Sequence, residues 1–371
     1  MYERFIFYLV YVTLLSFSFI KKRSNILLFF SLIPFWFLGS FRHLSIGNDS
    51  MEYARVFETI GQGSWEGYKE RYELGFLFLN RLLNLVSKNY ILLFAVCMFI
   101  VIIALYIYLK EFSSLWGFSI AMFFLLRYFD MSMNVIRLSV SIAFVMLSIV
   151  ALKKSRMILF FVGIATAFLF HRTAIVAISF IFIYKRRIKL SFLSISMLST
   201  LVILFNLFFV KILVILLEIF PIYSYYIDSE YLNGNVRIAS VLKIILFTFI
   251  FSVSIYLERK NRKTETNSLH ISNENYNKKI FNLDDFCFNS GLIGIVVLLL
   301  SLQFNLFDRI SDFFLINLIV YLPNQLAKIK NTKKIIFYMY LFLAFFMLYY
   351  LIIIIFKPEW NKVYPYLFYW N

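Results

Sequence analysis

The run I-L-L-F-F-S-L-I-P-F-W-F-L-G-S-F at residues 26–41 passes directly into R-H-L-S-I-G-N-D-S-M-E-Y at residues 42–53. The first part carries no charge and reads as a helix in hydrocarbon, because a bilayer core takes about 20 apolar residues to cross. The second part gathers Arg42, His43, Gly47, Asp49, Glu52 and Tyr53, and no comparable hydrophobic run follows until Ile91. A mixed-charge loop opening off a membrane span is the obvious place for chemistry. A solvated connector is the plain alternative.

The rest of the chain repeats the first half of that pattern. Apolar runs fall at 2–20, 25–41, 90–109, 114–130, 133–152, 157–170, 173–184, 191–217, 239–257, 286–303, 310–323 and 335–356. With 62% hydrophobic residues against about half in soluble domains, the expected fold is all-α: a polytopic transmembrane bundle of about 12 spans in one integral membrane domain, 1–371. A β-barrel would show short alternating segments instead. The runs between 157 and 184 are short for a full crossing, so tilt or half-helices are expected there. Residues 74–86 are apolar but too short to span and read as an interfacial or re-entrant helix within an external loop, 42–89.

Charge patterning sets the topology. The net charge of +17 sits in short clusters between apolar runs, a pattern of membrane orientation and not of nucleic-acid binding. Lys21 to Arg23, Lys110, Lys153 to Arg156, Lys185 to Lys189, Arg259 to Lys263 and Lys328 to Lys334 occupy alternate loops. These face the cytoplasm by the positive-inside rule, which places both termini outside. The polar loop 258–284 reads as a cytoplasmic connector in which His270 is solvated. The opposite loops hold Arg42, Asp49 and Glu52; Glu73; Arg127 to Arg137; His171-Arg172; Glu218 to Arg237; and Asp308-Arg309. Polar side chains close to span ends therefore collect outside.

Cys97 and Cys287 lie in or beside apolar runs without partner spacing, so no disulfide or metal site is implied. No P-loop, no G-x-G-x-x-G after a strand and no metal-ligand spacing occurs, and no cofactor is expected. The first apolar run lacks the basic start and small-residue end of a cleavable signal peptide.

Arg127, Asp130, Asn134 and Arg137 follow at steps of three, four and three, which would share one face of a continuous helix. The expected topology instead puts a tight turn at Met131 to Met133. Charged groups at this depth tend to mark substrate pathways; a structural Arg127–Asp130 pair is the alternative. The planar fork of Arg137 suits phosphate. His171, with Arg172 and Thr173, interrupts an apolar stretch as a donor to phosphate or sugar oxygen, a proton carrier, or a structural hydrogen bond. Asp308-Arg309 repeats the theme. Asp49, Glu52 and Glu73 are carboxylates able to take a proton from an acceptor hydroxyl, with Arg42, Arg137 and Arg309 as cations for a departing phosphate.

Taken together, F-R-H-L-S-I-G-N-D-S-M-E-Y at 41–53, Y-E-L-G-F at 72–76, M-N-V-I-R-L at 133–138, L-F-H-R-T-A at 169–174, D-R-I-S-D-F-F at 308–314 and a tail with Tyr364-Pro365-Tyr366 resemble the EpsG family of Wzy-like polysaccharide polymerases. The sequence departs from that family's usual pattern at Leu138, where a Gln is usual, and at Thr173, where a Ser is usual, while Arg137 and His171 keep their places. The resemblance implies a bacterial cytoplasmic-membrane enzyme, Wzy-like or GT-C-like, that joins undecaprenyl-pyrophosphate-linked repeat units on the outer face into a capsule, O-antigen or exopolysaccharide. Donor and acceptor would both be lipid-linked oligosaccharides, no nucleotide sugar or nucleic acid would be needed, and a chain-length regulator stays open as a partner. On that reading Arg137 and Arg309 bind pyrophosphate, supported by Arg42, Arg127, Asn134 and His171. Asp49, Glu52 or Glu73 is the base, and Tyr53 stacks on sugar. A GT-C-type transferase adding a single polyprenyl-phosphate sugar is a second reading. A flippase of lipid-linked glycan is a third, from a different class, and would be expected to show repeat symmetry.

Overall fold

The structure, a computed structural model, describes residues 24–63, 65–219, 238–268, 281–302 and 306–370. The expected span at 2–20, most of the Glu218 to Arg237 loop, and His270 lie outside the described residues. Among the described residues the chain is helical, and the one non-helical pairing is an antiparallel bridge between Arg42 and Phe368. Seven helices among the described residues are long and apolar enough to cross a membrane, and four shorter apolar helices accompany them.

The chain forms two compact units, Met1–Ile178 with Pro323–Asn371, and Ser179–Leu322. The first contains α1 (Asn25–Ser40), α2 (Ser50–Gly61), α3 (Leu74–Asn84), α4 (Ile91–Phe112), α5 (Trp116–Leu125), α6 (Tyr128–Asn134), α7 (Ile136–Lys153) and α8 (Met157–Phe170). A 3-10 segment follows at Arg172–Ser179. The second holds α9 (Phe180–Ile183), α10 (Phe192–Ile219), α11 (Ile238–Ser268), α12 (Leu283–Leu300) and α13 (Leu306–Leu315). The boundary at Leu322 falls inside α14 (Leu318–Ala327), and α15 (Thr332–Phe356) completes the first unit.

In the first unit α4 packs against α1 and α7, and α7 packs closely on α8. Small residues permit that approach, as they do generally where apolar attraction between helices is absent. The Ser141 hydroxyl donates to the Ala167 carbonyl at 2.8 Å. A Cβ added to Gly163 would stand 2.1 Å from Ser148 Oγ. The seam thereby fixes the start of α7, with Arg137, beside the end of α8, capped by His171.

Two expectations change. The tight turn placed at Met131 to Met133 is absent: those residues are helical within α6, and the chain breaks on either side of them. Arg127 adopts a left-handed φ of 69° ahead of α6, and Val135, φ −97° and ψ 68°, separates α6 from α7. A left-handed non-glycine residue costs about 1–2 kcal/mol, offset here by the bonds that Arg127 makes to Asp130 and Trp360. The connector expected at 258–284 is helical as far as Ser268, because α11 runs on through its basic stretch.

In the second unit α12 packs on α9, α10, α11 and α13. Two charge clusters lie within this unit. Glu258 is bonded by Arg187 at 2.6 Å, Arg262 at 2.6 Å and the Tyr321 hydroxyl. Lys243 bonds Asp308 at 2.5 Å and Asp312 at 2.8 Å. Arg309 stands on the same helix, three residues before Asp312.

Candidate functional site

The loop after α1 is built on a buried arginine. Arg42 is 0% exposed; it donates to the Gly39 carbonyl, to Met133 O at 3.1 Å and to Ser50 Oγ at 3.3 Å. Its guanidinium lies 3.9 Å from the centre of the Phe94 ring. Burial is the main cause of its lowered pKa, about 10, so it stays a cation at neutral pH. Gly47 turns the chain at φ +85°, and an added Cβ there would meet Met133 O at 2.6 Å. The loop therefore lies directly on the α6–α7 break. Asp49 N–H donates to Asn134 Oδ1 at 3.2 Å, and α2 starts immediately afterwards, with Glu52 in its first turn.

The C-terminal tail closes over the same break. Gly47 N–H donates to Lys362 O at 3.0 Å, His43 N–H to Leu367 O at 2.9 Å, and Tyr369 N–H to Phe41 O at 3.0 Å. Asn134 Nδ2 donates to Asn361 Oδ1 at 2.9 Å. Arg127 Nε bonds Asp130 at 2.9 Å, its terminal nitrogen reaches the Trp360 carbonyl, and the Tyr350 hydroxyl bonds Asp130 at 3.2 Å. Arg127 and Asp130 thus form a buried pair.

The more open part of the cluster centres on Arg137. One of its terminal nitrogens bonds Glu73 Oε2, its guanidinium lies 4.6 Å from the centre of the Tyr72 ring, and the buried Tyr53 belongs to the same unit. Its Nε is buried and donates to no oxygen among the described residues. The other Glu73 oxygen accepts the Arg172 N–H at 3.4 Å, which puts the His171 turn beside the pair. His171 Nδ1 lies 2.6 Å from the Thr173 hydroxyl. Gly75 allows the approach: a Cβ there would meet Leu169 O at 2.6 Å.

Glu52 stands apart as a hub. Arg55 and Arg71 bond its two oxygens, each at 3.1 Å, and the Tyr72 hydroxyl donates to it at 3.4 Å. Burial, ahead of the neighbouring charges, pushes the Tyr72 phenol up to about 12.

The structure therefore brings Arg42, Asp49, Glu52, Tyr53, Glu73, Arg127, Asn134, Arg137 and His171 into one unit, while Arg309 belongs to the other. Sequence reasoning missed Tyr350, Trp360 and Asn361. The dense aromatic character of residues 360–370 was the available signal, but nothing in it names their partners.

Apolar helices of spanning length, with arginines and carboxylates gathered where α1, α7 and α8 begin or end, define a polytopic membrane protein with a polar cluster at its helix ends. The chain belongs to the EpsG family, which matches residues 25–368, a family of Wzy-like polysaccharide polymerases. No curated protein and no solved structure matches it.

Proposed function

We propose that this protein polymerises undecaprenyl-pyrophosphate-linked oligosaccharide repeat units by glycosyl transfer on the outer face of the bacterial cytoplasmic membrane. The chain would act as one integral membrane domain of about 12 spans. Family membership supports the polymerase class. The observation that carries the site assignment is Arg137, whose side chain is partly exposed and paired with Glu73 beside the His171 turn. A guanidinium held in this way retains donors for an incoming phosphate, and a fork–fork contact with pyrophosphate is stronger than one with a neutral acceptor.

Arriving pyrophosphate would compete with Glu73 for Arg137 and so release the carboxylate. Glu73 then accepts the proton of the acceptor hydroxyl as that oxygen bonds to the anomeric carbon. The bond from that carbon to pyrophosphate breaks, its electrons pass to the leaving group, and Arg137 stabilises the added charge. His171 beside Arg172 would donate to a phosphate or sugar oxygen. Asp49, at the edge of the cluster, is the second candidate base. Arg42, Arg127 and Asn134 hold the loop and tail in place, Glu52 fixes Tyr72, and Tyr53 bounds the sugar-facing side.

The test is incubation of purified protein in nanodiscs with lipid-pyrophosphate repeat units, with products sized on a gel. A ladder at repeat-unit spacing is expected. Addition of one sugar, or no product from folded protein with the correct substrate, would overturn the reading.

A further inference from the structure

Helix α3 presents a face that the Arg137 cluster does not use. Leu74, Phe78 and Leu82, spaced four apart, are 59%, 64% and 49% exposed, and Leu85 and Val86 just beyond the helix are 82% and 78% exposed. The other side of the helix, with Phe76, Leu77, Asn80 and Leu83, is buried, and α3 packs on α2. Eleven residues make a helix about 16 Å long, roughly half a bilayer core. The stripe cannot be explained as part of a crossing. Exposed to water, each such side chain would forgo the free energy of apolar burial.

Three further observations identify what covers it. Asn84 is followed closely by Ile91, where the 22-residue apolar helix α4 begins, so a tether of at most about 25 Å holds the stripe near the point where the chain enters the bilayer. No carboxylate occurs from Leu74 to Lys110, whereas Arg81 and Lys88 flank the stripe; that charge complements phosphate headgroups. The Trp65 ring lies against Lys69 at 4.9 Å and Arg81 at 5.4 Å, a pairing of amphipathic ring and cation suited to the headgroup layer.

We infer that α3 lies flat in the membrane interface, with its Leu74–Phe78–Leu82 stripe among the acyl chains of a phospholipid leaflet and Arg81 at the phosphates. The inference does not depend on the proposed reaction, but it bears on the site. Glu73 immediately precedes α3, and Gly75 lies so close to the end of α8 that an added Cβ would stand 2.6 Å from Leu169 O. The leaflet therefore sets the height of the carboxylate that holds Arg137.

The test uses full-length protein in nanodiscs of phosphatidylethanolamine and phosphatidylglycerol. Phe78→Cys and Leu82→Cys are each labelled with a polarity-sensitive fluorophore; the native Cys97 and Cys287 are buried and spared. The Glu66 side chain, 84% exposed, provides Glu66→Cys as the aqueous control. The expected result is blue-shifted emission at positions 78 and 82, lost on adding lipids with a nitroxide high on the acyl chain and retained in iodide, with the reverse at position 66. Iodide quenching at 78 and 82 equal to that at 66 would overturn the inference. Protection from both quenchers would also overturn it, since it would put protein, such as a second copy of the chain, over the stripe.

Discussion

Arg137 has two contacts that its replacement would leave behind, the Glu73 carboxylate and the Tyr72 ring. Arg137→Ala should lower polymerisation on the order of 10²–10³-fold and leave single repeat units, with membrane insertion unchanged. Arg137→Lys should recover little, because an ammonium lacks the planar fork. Normal glycan length in a stably expressed Arg137→Ala strain would remove the residue from the site. Glu73→Gln keeps the shape and loses the base, and should reduce turnover about 10²–10⁴-fold with a melting temperature close to the parent's. Parallel loss of activity and melting temperature would mark Glu73 as structural. Arg42 is expected to behave differently, since its bonds go to Gly39, Met133 and Ser50. Arg42→Ala should cost about 2–4 kcal/mol of stability, read as a lowered melting temperature whatever the substrate. Tyr72 gives a pH prediction. Its phenol is neutral up to about 12 in the fold and up to about 10 when unfolded. Its stabilising contribution should therefore be complete below about pH 10 and fall as pH rises toward 12. Melting curves of Tyr72→Phe and the parent should draw together over that window and differ by a constant amount below it.

At the scale of helices, the seam between α7 and α8 decides whether His171 and Arg137 stay near one another. Gly163→Leu would drive a side chain into Ser148, which already lies 2.1 Å from where a Cβ would sit. It should cost about 1–3 kcal/mol and reduce activity without touching a polar residue of the cluster; unchanged melting and activity would show that the seam is slack. Helices were the most legible feature of the sequence. The run at 335–356 became Thr332–Phe356, because bilayer thickness imposes a length that composition records, and the shorter run at 157–170 became Met157–Phe170. Breaks inside apolar stretches were not legible. Nothing near residue 127 contains proline or glycine, and the left-handed Arg127 depends on Asp130 and on the distant Trp360. The same limit applied to the site. Glu73, Arg137 and His171 stood out as polar residues beside hydrocarbon, but the Glu73–Arg137 pair joins residues 64 positions apart, and such pairs follow from helix packing, which no local pattern encodes.

For the molecule as a whole, the basic loops predict a sidedness that the proposed function requires. Glu66→Cys should react with a membrane-impermeant maleimide in intact cells, and Lys330→Cys only after permeabilisation; the opposite pattern would place the Arg137 cluster on the cytoplasmic side and exclude polymerisation outside. The tail from Lys357 to Trp370 adds a consequence of a different kind. It supplies acceptors to the backbone of the loop after α1 through Lys362 and Leu367, and to Arg127 and Asn134 through Trp360 and Asn361. These residues leave the ribosome after every helix described here has been made. The helices can thus be inserted while the polar cluster is still incomplete, and a chain cut short before Trp360 would reach the membrane with Arg127 missing one of its acceptors. Synthesis of this segment is the late step that completes the site, so chains released before Trp360 should be inert and exposed to quality-control proteolysis.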